Sequence, residues 1–404
     1  MSLVAGSYEK FIWGFKLKTL KSQSETKTLT LTPLFSYPSH LSTIKSVAVS
    51  GPVAVSGGSD DSIKIYDLST ASEIGTLNNH SGSITSLSFF TPPSLSFPRN
   101  LFSASDDGTL CIYDADPFVH LKTVKVHKKG VNDLAVHPSG RLALTVGRDS
   151  CLAMVNLVRG RRSFSCKMWK EASIVKYDES GEKFFMVEDE KVSVHEAEDA
   201  KLILELDNRK RVLCATLGSL VGGDKRKVIR KFYVFQEVKF TLSQDEILLT
   251  GGEDRNITAW DTKSGKIAYC IKEAHSVRVK GLVVLSKSDI AASGDGFSHL
   301  VASASSDGVI RVWDIRMANQ SEPNHLAEAK TKSRLTCLAG SSLRWVRILY
   351  GNHKLEKAVQ MISRMWKWKK ILDILGNAGL CLDFEVKRRP VVRGQCNQDW
   401  HSSQ

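Results

Sequence analysis

Short runs in which apolar and polar residues alternate recur along this chain, each after a cluster of turn-forming residues. In the clearest example, the cluster SSDG at 305–308 is followed by the alternating run VIRVW at 309–313. Alternation with a period of two residues predicts a β-strand with one buried face. Six such runs end in an aromatic or apolar residue and then an acid or Asn: Tyr66-Asp67, Tyr113-Asp114, Val155-Asn156, His195-Glu196, Trp260-Asp261 and Trp313-Asp314.

The spacing of these pairs is nearly regular. Their second members are 47, 42, 40, 65 and 53 residues apart. Six residues before each first member stands an Asp, namely Asp60, Asp107, Asp149, Asp189, Asp254 or Asp307. A turn and then a strand, repeated every 40 to 50 residues, is typical of the four-stranded blades of a β-propeller.

The two ends of the repeat region predict a seventh blade. Residues 4–17 have the form of a turn followed by alternation, and residues 334–339 resemble an isolated first strand. Joining them in one blade would remove the open edges of an unclosed ring. We therefore predict an all-β, seven-bladed propeller over residues 1–342, closed by its N-terminal strands. Its fourth blade, about 168–206, is degenerate.

These repeats resemble those of WD40 proteins. Trp260-Asp261 and Trp313-Asp314 match the dipeptide of that family, and four His residues stand ahead of strands, as its signature His does. The resemblance implies a buried hydrogen-bond network of His, turn Asp and Trp in each blade, since a buried carboxylate needs donors. The predicted network residues are His40, Asp60, His80, Asp107, His127, Asp149, Asp254, Trp260, His275, Asp307 and Trp313.

Net charge separates two basic segments from the repeats. The chain of 404 residues carries +13, of which residues 344–404 contribute +7 and residues 217–245 contribute +3. The second segment is an insertion in the fifth repeat. It is open to interpretation as a solvated basic loop, a contact with nucleic acid or a partner, or a retained intron. Residues 343–404 form a basic tail with four of the eight Trp. The tail is either a basic amphipathic helix near 355–372 or a weakly ordered or wrongly spliced end.

The sequence lacks the motifs of enzymes and metal sites. Phosphate-binding loops, G-x-G-x-x-G, H-E-x-x-H and a nucleophile with its base are all absent, so we expect no enzyme, no cofactor, no metal and no small-molecule substrate. The eight Cys are scattered singly, which favours reduced thiols in the cytosol or nucleus. We expect no secretory signal and no membrane contact, because no apolar run approaches the ~18 residues of a membrane span.

Partner binding therefore has to be sought among exposed residues. With the strands of each blade lettered a to d from the centre outwards, the face with the d–a and b–c connections would display Lys128, Lys129, Arg148 and Arg255. These form either a basic patch for acidic partners or phosphate, or ordinary solvated side chains. Arg159 and Arg161 lie in a c–d turn, predicted on the opposite face, and offer a second basic candidate.

One further motif is Trp313-Asp314-Ile315-Arg316. It resembles the WDxR box of substrate receptors for cullin-4 ubiquitin ligases, in which Arg316 would contact the ligase adaptor. Such Arg residues are also frequent in WD40 repeats without that role.

Longer strings narrow the resemblance to one family. AGSYEKFIWGF (5–15), SGGSDDSIKIYD (56–67), HKKGVNDLAVHPSG (127–140), LVRGR (157–161) and TGGEDRNITAWD (250–261) look like the PAK-interacting WD40 protein family. The resemblance covers about residues 2–342. The 217–245 insertion is foreign to the family's pattern, and the tail does not resemble its Lys-rich end.

The resemblance implies a non-enzymatic nucleolar or nuclear scaffold that docks assembly factors of the large (60S) ribosomal subunit during rRNA processing. Its expected partners are those pre-60S factors, with a non-specific rRNA contact as an addition, and the ring itself is expected to be monomeric within a larger complex. A cytoplasmic pool would suit the first alternative, a negative regulator that binds p21-activated protein kinases. The second alternative is a cullin-4 substrate receptor acting through Arg316.

Overall fold

The computed structural model describes residues 1–21, 27–92, 94–220, 245–285, 300–315 and 324–341. These residues form 28 β-strands in seven four-stranded antiparallel sheets, and no helix occurs among them. Accordingly, no helix in the described ranges is long and apolar enough to cross a membrane. The all-β prediction is confirmed. The tail from residue 343 lies outside the described residues.

The first three blades contain β4 to β15. Blade 1 consists of β4 (Ile44–Ser50), β5 (Val53–Gly58), β6 (Ile63–Asp67) and β7 (Ser72–Leu77). Blade 2 consists of β8 (Ile84–Phe90), β9 (Asn100–Ser105), β10 (Thr109–Asp114) and β11 (Val119–Lys125). Blade 3 consists of β12 (Val131–Val136), β13 (Leu142–Gly147), β14 (Cys151–Asn156) and β15 (Arg161–Lys167).

The next three blades contain β16 to β27. Blade 4 consists of β16 (Ile174–Tyr177), β17 (Lys183–Glu188), β18 (Lys191–Glu196) and β19 (Leu202–Asp207). Blade 5 consists of β20 (Val212–Leu220), β21 (Asp245–Gly252), β22 (Ile257–Asp261) and β23 (Ile267–Ile271). Blade 6 consists of β24 (Val279–Leu285), β25 (Leu300–Ser305), β26 (Val309–Asp314) and β27 (Ala327–Lys330).

Blade 7 joins the two ends of the propeller. Its strand order is β28 (Leu335–Ser341), β1 (Ser2–Ser7), β2 (Phe11–Lys21) and β3 (Lys27–Pro38). The antiparallel register of β28 and β1 pairs Ala5 with Leu338 and Ser2 with Ser341. The innermost strands of neighbouring blades contact one another in a closed cycle. The predicted closure by the N-terminal strands is therefore confirmed.

The core is divided among the blade interfaces. The described residues form seven hydrophobic clusters, and each contains side chains from two neighbouring blades. Side chains alternate between the two faces of a strand, so Leu101 packs toward blade 1 and Phe102 toward blade 3. Both faces of a blade are thus buried, which explains why its inner strands are apolar at consecutive positions.

Each innermost strand except that of blade 4 carries one extra residue near its start. Register shifts place this β-bulge residue at Lys45, Thr85, Asn132, Leu213, Lys280 and Thr336. All six line one end of the central channel, a cavity of about 520 Å³. Because a bulge redirects a side chain relative to regular pairing, this ring of residues sets the chemistry of the channel mouth.

Backbone hydrogen bonds show which loops share a face. Asp106 N–H donates to Ser83 O, Arg148 N–H to Gly130 O, and Ser306 N–H to Arg278 O. Each bond joins a b–c turn to a d–a connection, and the face formed by these loops is called here the d–a face. The a–b and c–d connections lie at the opposite ends of the strands. Residues 221–244, most of the predicted insertion, fall in the a–b connection of blade 5 but outside the described residues.

Candidate interaction surface

Buried histidines connect the d–a and b–c loops in the first three blades. His40, His80 and His127 each precede strand a by four residues. Their Nδ1 atoms lie 3.0, 3.0 and 2.9 Å from carboxylate oxygens of Asp60, Asp107 and Asp149, respectively. Their Nε2 atoms contact the hydroxyls of Ser56, Ser103 and Thr145 on strand b, at 2.7, 2.7 and 2.9 Å. The network holds the d–a face in a fixed shape.

In blade 6 the same network includes a tryptophan. Trp313 Nε1–H donates to Ser303 Oγ at 2.8 Å, and His275 Nε2 lies 2.7 Å from the same oxygen. The Ser303 hydroxyl can therefore donate to Nε2, which leaves the His275 proton on Nδ1. That Nδ1 is 4.0 Å from Asp307, longer than in blades 1 to 3, and among the described residues it has no hydrogen-bond partner.

Blade 5 departs from the predicted network. The residue four positions before its strand a is Asn208 rather than His, and Asn208 Oδ1 accepts from Thr250 Oγ1 at 3.2 Å. Trp260 Nε1–H donates to Thr250 Oγ1 at 3.0 Å. Asp254, predicted as a network residue, is not joined to this chain of bonds. Its hydrogen bond is with Asn256 N–H, and burial raises the pKa of its carboxyl. The amide Nδ2 of Asn208 instead donates to Lys210 O at 3.3 Å.

Burial and hydrogen bonding move the pKa values of the network. Burial lowers the pKa of His275 to about 4 and also lowers the pKa of His40 and His80, against the opposing attraction of their Asp partners. Burial alone would raise the pKa of Asp60 and Asp107. Hydrogen bonds, including those from the Leu41 and Ser81 N–H groups, outweigh it and lower both values. The folded state therefore favours neutral His beside ionised Asp.

This arrangement predicts loss of stability in mild acid. An unfolded His takes up a proton near pH 6.5, whereas folded His275 does so only near pH 4. Between these values the unfolded chain binds more protons, so the free energy of unfolding falls as the pH is lowered. Below pH 4 protonation of the Asp carboxyls removes more stability. Urea unfolding midpoints measured from pH 7.5 to 4.5 should decrease steadily.

The Asn208 site of blade 5 supplies a control for this pH dependence. His275→Asn places in blade 6 the same non-titrating residue that blade 5 carries at the equivalent position, Asn208. The variant should be less stable at pH 7.5 but should lose less stability on acidification than the wild type. Equal losses in the two proteins would contradict the role assigned to His275.

The predicted basic residues of the d–a face do not form one free patch. Arg148 is paired with Asp106 at 2.7 Å, and Arg255 lies 3.8 Å from Glu273. Lys128 and Lys129 are exposed in the d–a connection between blades 2 and 3. Pairing with carboxylates on neighbouring loops reduces the field that Arg148 and Arg255 offer to an anionic partner. The role of Lys128 and Lys129 in partner binding stays a prediction.

The other predicted basic residues are elsewhere. Arg159 and Arg161 lie at the c–d turn of blade 3, on the face opposite the d–a face, and both are exposed. Lys122 Nζ donates to Arg159 O at 3.3 Å, which anchors the backbone of this turn to the neighbouring blade. Arg316 of the WDxR motif lies outside the described residues.

Two features of the d–a face were not singled out by the sequence analysis. The first is a concentration of cations at blades 5 and 6, where Arg209, Lys210 and Arg211 precede β20, and Arg278 and Lys280 flank the start of β24. A run of three basic residues followed by R-x-K in the next repeat is visible in the sequence. Their convergence depends on the ring placing the two loops side by side.

The second feature is Trp169, in the d–a connection between β15 and β16. Its side chain is 103% exposed, whereas Trp260 and Trp313 are buried. Large aromatic side chains that stay in water on a folded surface are typical anchors of protein interfaces. The sequence offers one indication of this exposed position: Trp169 lies in the degenerate fourth blade and, unlike Trp260 and Trp313, is not followed by an Asp.

Within the described residues, no group of three or more His, Cys, Asp or Glu could bind a metal. Burial raises the pKa of the Cys111, Cys214 and Cys337 thiols, which makes them poor nucleophiles. The described cysteines are free.

Comparisons with known proteins agree with this architecture. The family model "WD domain, G-beta repeat" matches residues 31–67, 71–114, 118–155 and 269–314. The chain is 32% identical over 340 residues to p21-activated protein kinase-interacting protein 1-like from Gallus gallus, covering 84% of this chain and 80% of that protein. Identity to human p21-activated protein kinase-interacting protein 1 is 32%, covering 84% and 76% of the two chains.

A yeast relative shows a similar extent of match. Protein MAK11 of Saccharomyces cerevisiae is 27% identical over 360 residues, which cover 83% of this chain and 82% of that protein. The fold and the names of these relatives are typical of interaction scaffolds, and no enzymatic family is indicated. Because the seven blades, the buried His–Asp networks and these identities agree, the chain belongs to the PAK-interacting WD40 protein family.

Proposed function

We propose that this protein is a non-enzymatic scaffold that docks assembly factors during large (60S) ribosomal subunit biogenesis and rRNA processing, in the nucleolus or nucleus. Family membership supports the proposal, since the resemblance implies this role for its members. The observation that carries a docking role is Trp169, whose indole is fully exposed on the d–a face. An indole in this position gains free energy when a partner covers it.

The experiment is affinity purification of the tagged full chain from nuclear extract, with and without RNase, followed by mass spectrometry. We expect pre-60S factors to be recovered in both samples, because a docking protein holds them through protein contacts. Trp169→Ala should lower their recovery at least tenfold, as loss of an aromatic anchor costs about 2 kcal/mol or more. Sedimentation of the tagged protein with pre-60S particles should fall in parallel.

Val158→Ala is the matched control for this variant. Val158 is also exposed, at 75%, but lies in the c–d turn on the opposite face. Its replacement should leave recovery unchanged. Loss of all assembly factors on RNase treatment would instead assign their binding to RNA and to the basic segments. Recovery of other proteins without any ribosomal material would reject the proposal.

Kinase regulation is the second candidate. It is favoured by the names of relatives, which include p21-activated protein kinase-interacting protein 1 and, at 24% identity, Shk1 kinase-binding protein 15 of Schizosaccharomyces pombe. In this role the ring would bind a regulatory segment of a p21-activated kinase and lower its activity. Recovery of such a kinase in the same purification, with inhibition by the purified chain, would support it. The described residues give no separate support to the ubiquitin-ligase alternative.

A further inference from the structure

Lys280 lies at the mouth of the central channel, and we call Lys280 together with Arg278 and Arg211 of the neighbouring loops the Lys280 cluster. Arg211 ends the d–a connection into blade 5, where its Nε lies 3.3 Å from Asp189, and Arg278 ends the connection into blade 6. Lys280 is the bulge residue of β24 and lines the cavity of about 520 Å³ at the channel mouth. Burial lowers the pKa of the Lys280 amine, and repulsion from Arg278 and then Arg211 lowers it further.

Lys280 differs from the other lysines of the cavity in having no carboxylate partner. Lys45 Nζ lies 3.2 Å from Asp106, and Lys176 Nζ lies 2.8 Å from Asp133. Within the part of the chain that the structure describes, no carboxylate lies within 4 Å of Lys280 Nζ. Arg278 contacts a hydroxyl, Ser306 Oγ at 3.4 Å, rather than an acid. The more distant Glu253 offsets the burial of Lys280 only in part, since the pKa of the amine is still lowered. A half-buried ammonium without a close counter-charge is unfavourable, and an anionic ligand would relieve that cost.

The surroundings of the cluster favour a peptide over a nucleic acid. Leu213, the bulge residue of the neighbouring blade, lines the same cavity, and Val277 is partly exposed beside Arg278. Single-stranded RNA is held by aromatic platforms as well as by cations. The aromatic side chain of this cavity, Tyr177, already packs against His137 and Phe184. A carboxylate on a flexible side chain can also reach a recessed ammonium more easily than the phosphates of a stiff duplex can.

We propose that the Lys280 cluster binds an acidic peptide segment of a partner protein, with one carboxylate on Lys280 Nζ at the channel mouth and a further carboxylate on Arg278. Apolar side chains of the same segment would contact Leu213 and Val277. The inference rests on the proposed scaffold role, which it deepens by naming the chemistry of one docked partner segment.

The test is fluorescence anisotropy with the purified full chain at 100 mM salt. The probe is a fluorescein-labelled 12-residue peptide of alternating Glu and Leu, and the reference peptide has Lys in place of Glu. We expect saturable binding of the acidic peptide alone. Lys280→Met should weaken it about 30-fold or more, because the carboxylate loses its partner in a partly desolvated site. Arg278→Gln should weaken it by a smaller factor.

Lys45→Met is the matched control, since Lys45 occupies the equivalent bulge of blade 1 but is already paired with Asp106. It should change the affinity less than threefold. Equal weakening by both Met variants would mean general attraction by the basic surface and would overturn the proposal. The proposal would also be overturned if the protein bound a 20-nucleotide uridine oligonucleotide with the same dependence on Lys280 but did not bind the acidic peptide. Lys280→Arg, which keeps the charge, should restore most of the affinity and so excludes misfolding as the cause.

The purification described above separates the two proposals. If the acidic peptide fails to bind while pre-60S factors still co-purify with the wild type, the Lys280 site is wrong and the scaffold role stands. If the peptide binds with the expected Lys280 dependence but no ribosomal factors are recovered, the site is correct and the ribosomal assignment fails.

Discussion

Replacing Trp313 by alanine should lower the free energy of unfolding by about 4 kcal/mol, because removal of a buried tryptophan leaves a cavity that the surrounding strands fill only in part. Trp313 is 4% exposed and packs in the cluster between blades 5 and 6. Its Nε1–H also donates to Ser303 Oγ, the atom that contacts His275. The substitution therefore removes apolar contact from one interface and a donor from the network that fixes the d–a loop.

Urea unfolding followed by far-ultraviolet circular dichroism would measure this effect as a shift of the midpoint. Trp313→Phe should show a smaller loss, since it keeps a six-membered ring in the cluster and removes the donor with the pyrrole part of the indole. Trp169→Ala is the control with the same chemical change at an exposed site, and it should alter stability by less than about 0.5 kcal/mol. Similar losses at Trp313 and Trp169 would contradict the assignment of one as core and the other as surface.

Asp133→Ala should cost about 3 kcal/mol of stability, since it leaves donors from two neighbouring blades without an acceptor. Asp133 lies on β12 of blade 3. Its carboxylate accepts from Ser86 Oγ of blade 2 at 2.6 Å and from Val175 N–H of blade 4 at 3.0 Å. Lys176 Nζ also pairs with it at 2.8 Å, but the Lys176 side chain is 41% exposed and water replaces that contact readily. Most of the loss therefore comes from the buried donors.

The Asp133 carboxylate links three blades through its hydrogen bonds. Substitutions that keep an acceptor, or that remove one donor, therefore serve as controls. Asp133→Asn keeps an acceptor oxygen and the side-chain volume and should cost about 1 kcal/mol. Ser86→Ala removes one donor together with its need for an acceptor and should also cost little. Glu198→Ala, at an exposed turn of blade 4, should be neutral. If Asp133→Ala were as harmless as Glu198→Ala, the carboxylate would not hold the blades together.

The fold could be predicted from the sequence because each blade repeats a local pattern. The interval between Asp60 and Tyr66 returns at Asp107 and Tyr113 and at Asp307 and Trp313, and a turn followed by strand c requires that spacing wherever it occurs. The pairing of the first strand β1 with the last strand β28 was predictable for another reason, although its register was not. A ring with unpaired ends would expose strand edges, and only the first and last strands were left to pair.

Contacts between different blades could not be predicted in the same way. Arg148 and Asp106 lie in different repeats, and their ion pair appears only when the turns of blades 2 and 3 are side by side. Asn208 was missed because its four-residue offset from strand a is measurable only once β20 is located. Lys280 required the register of β24, since an unbulged strand would not place this residue at the channel mouth. The sequence therefore predicts the repeated part of the site and not the part that differs between blades.

The closing strand has a consequence for folding during synthesis. Thr336 Oγ1 donates to Gly6 O, a bond between residues 330 positions apart. At about 5–20 residues per second, translation of that interval takes roughly 15 to 65 s. Throughout this time β1 has a free edge, while blades 1 to 6 can form one after another from consecutive strands. A ribosome that stalls in blade 6 therefore holds a nearly complete but open ring, and the edge of β1 is a template for mispairing until residues 335–341 emerge.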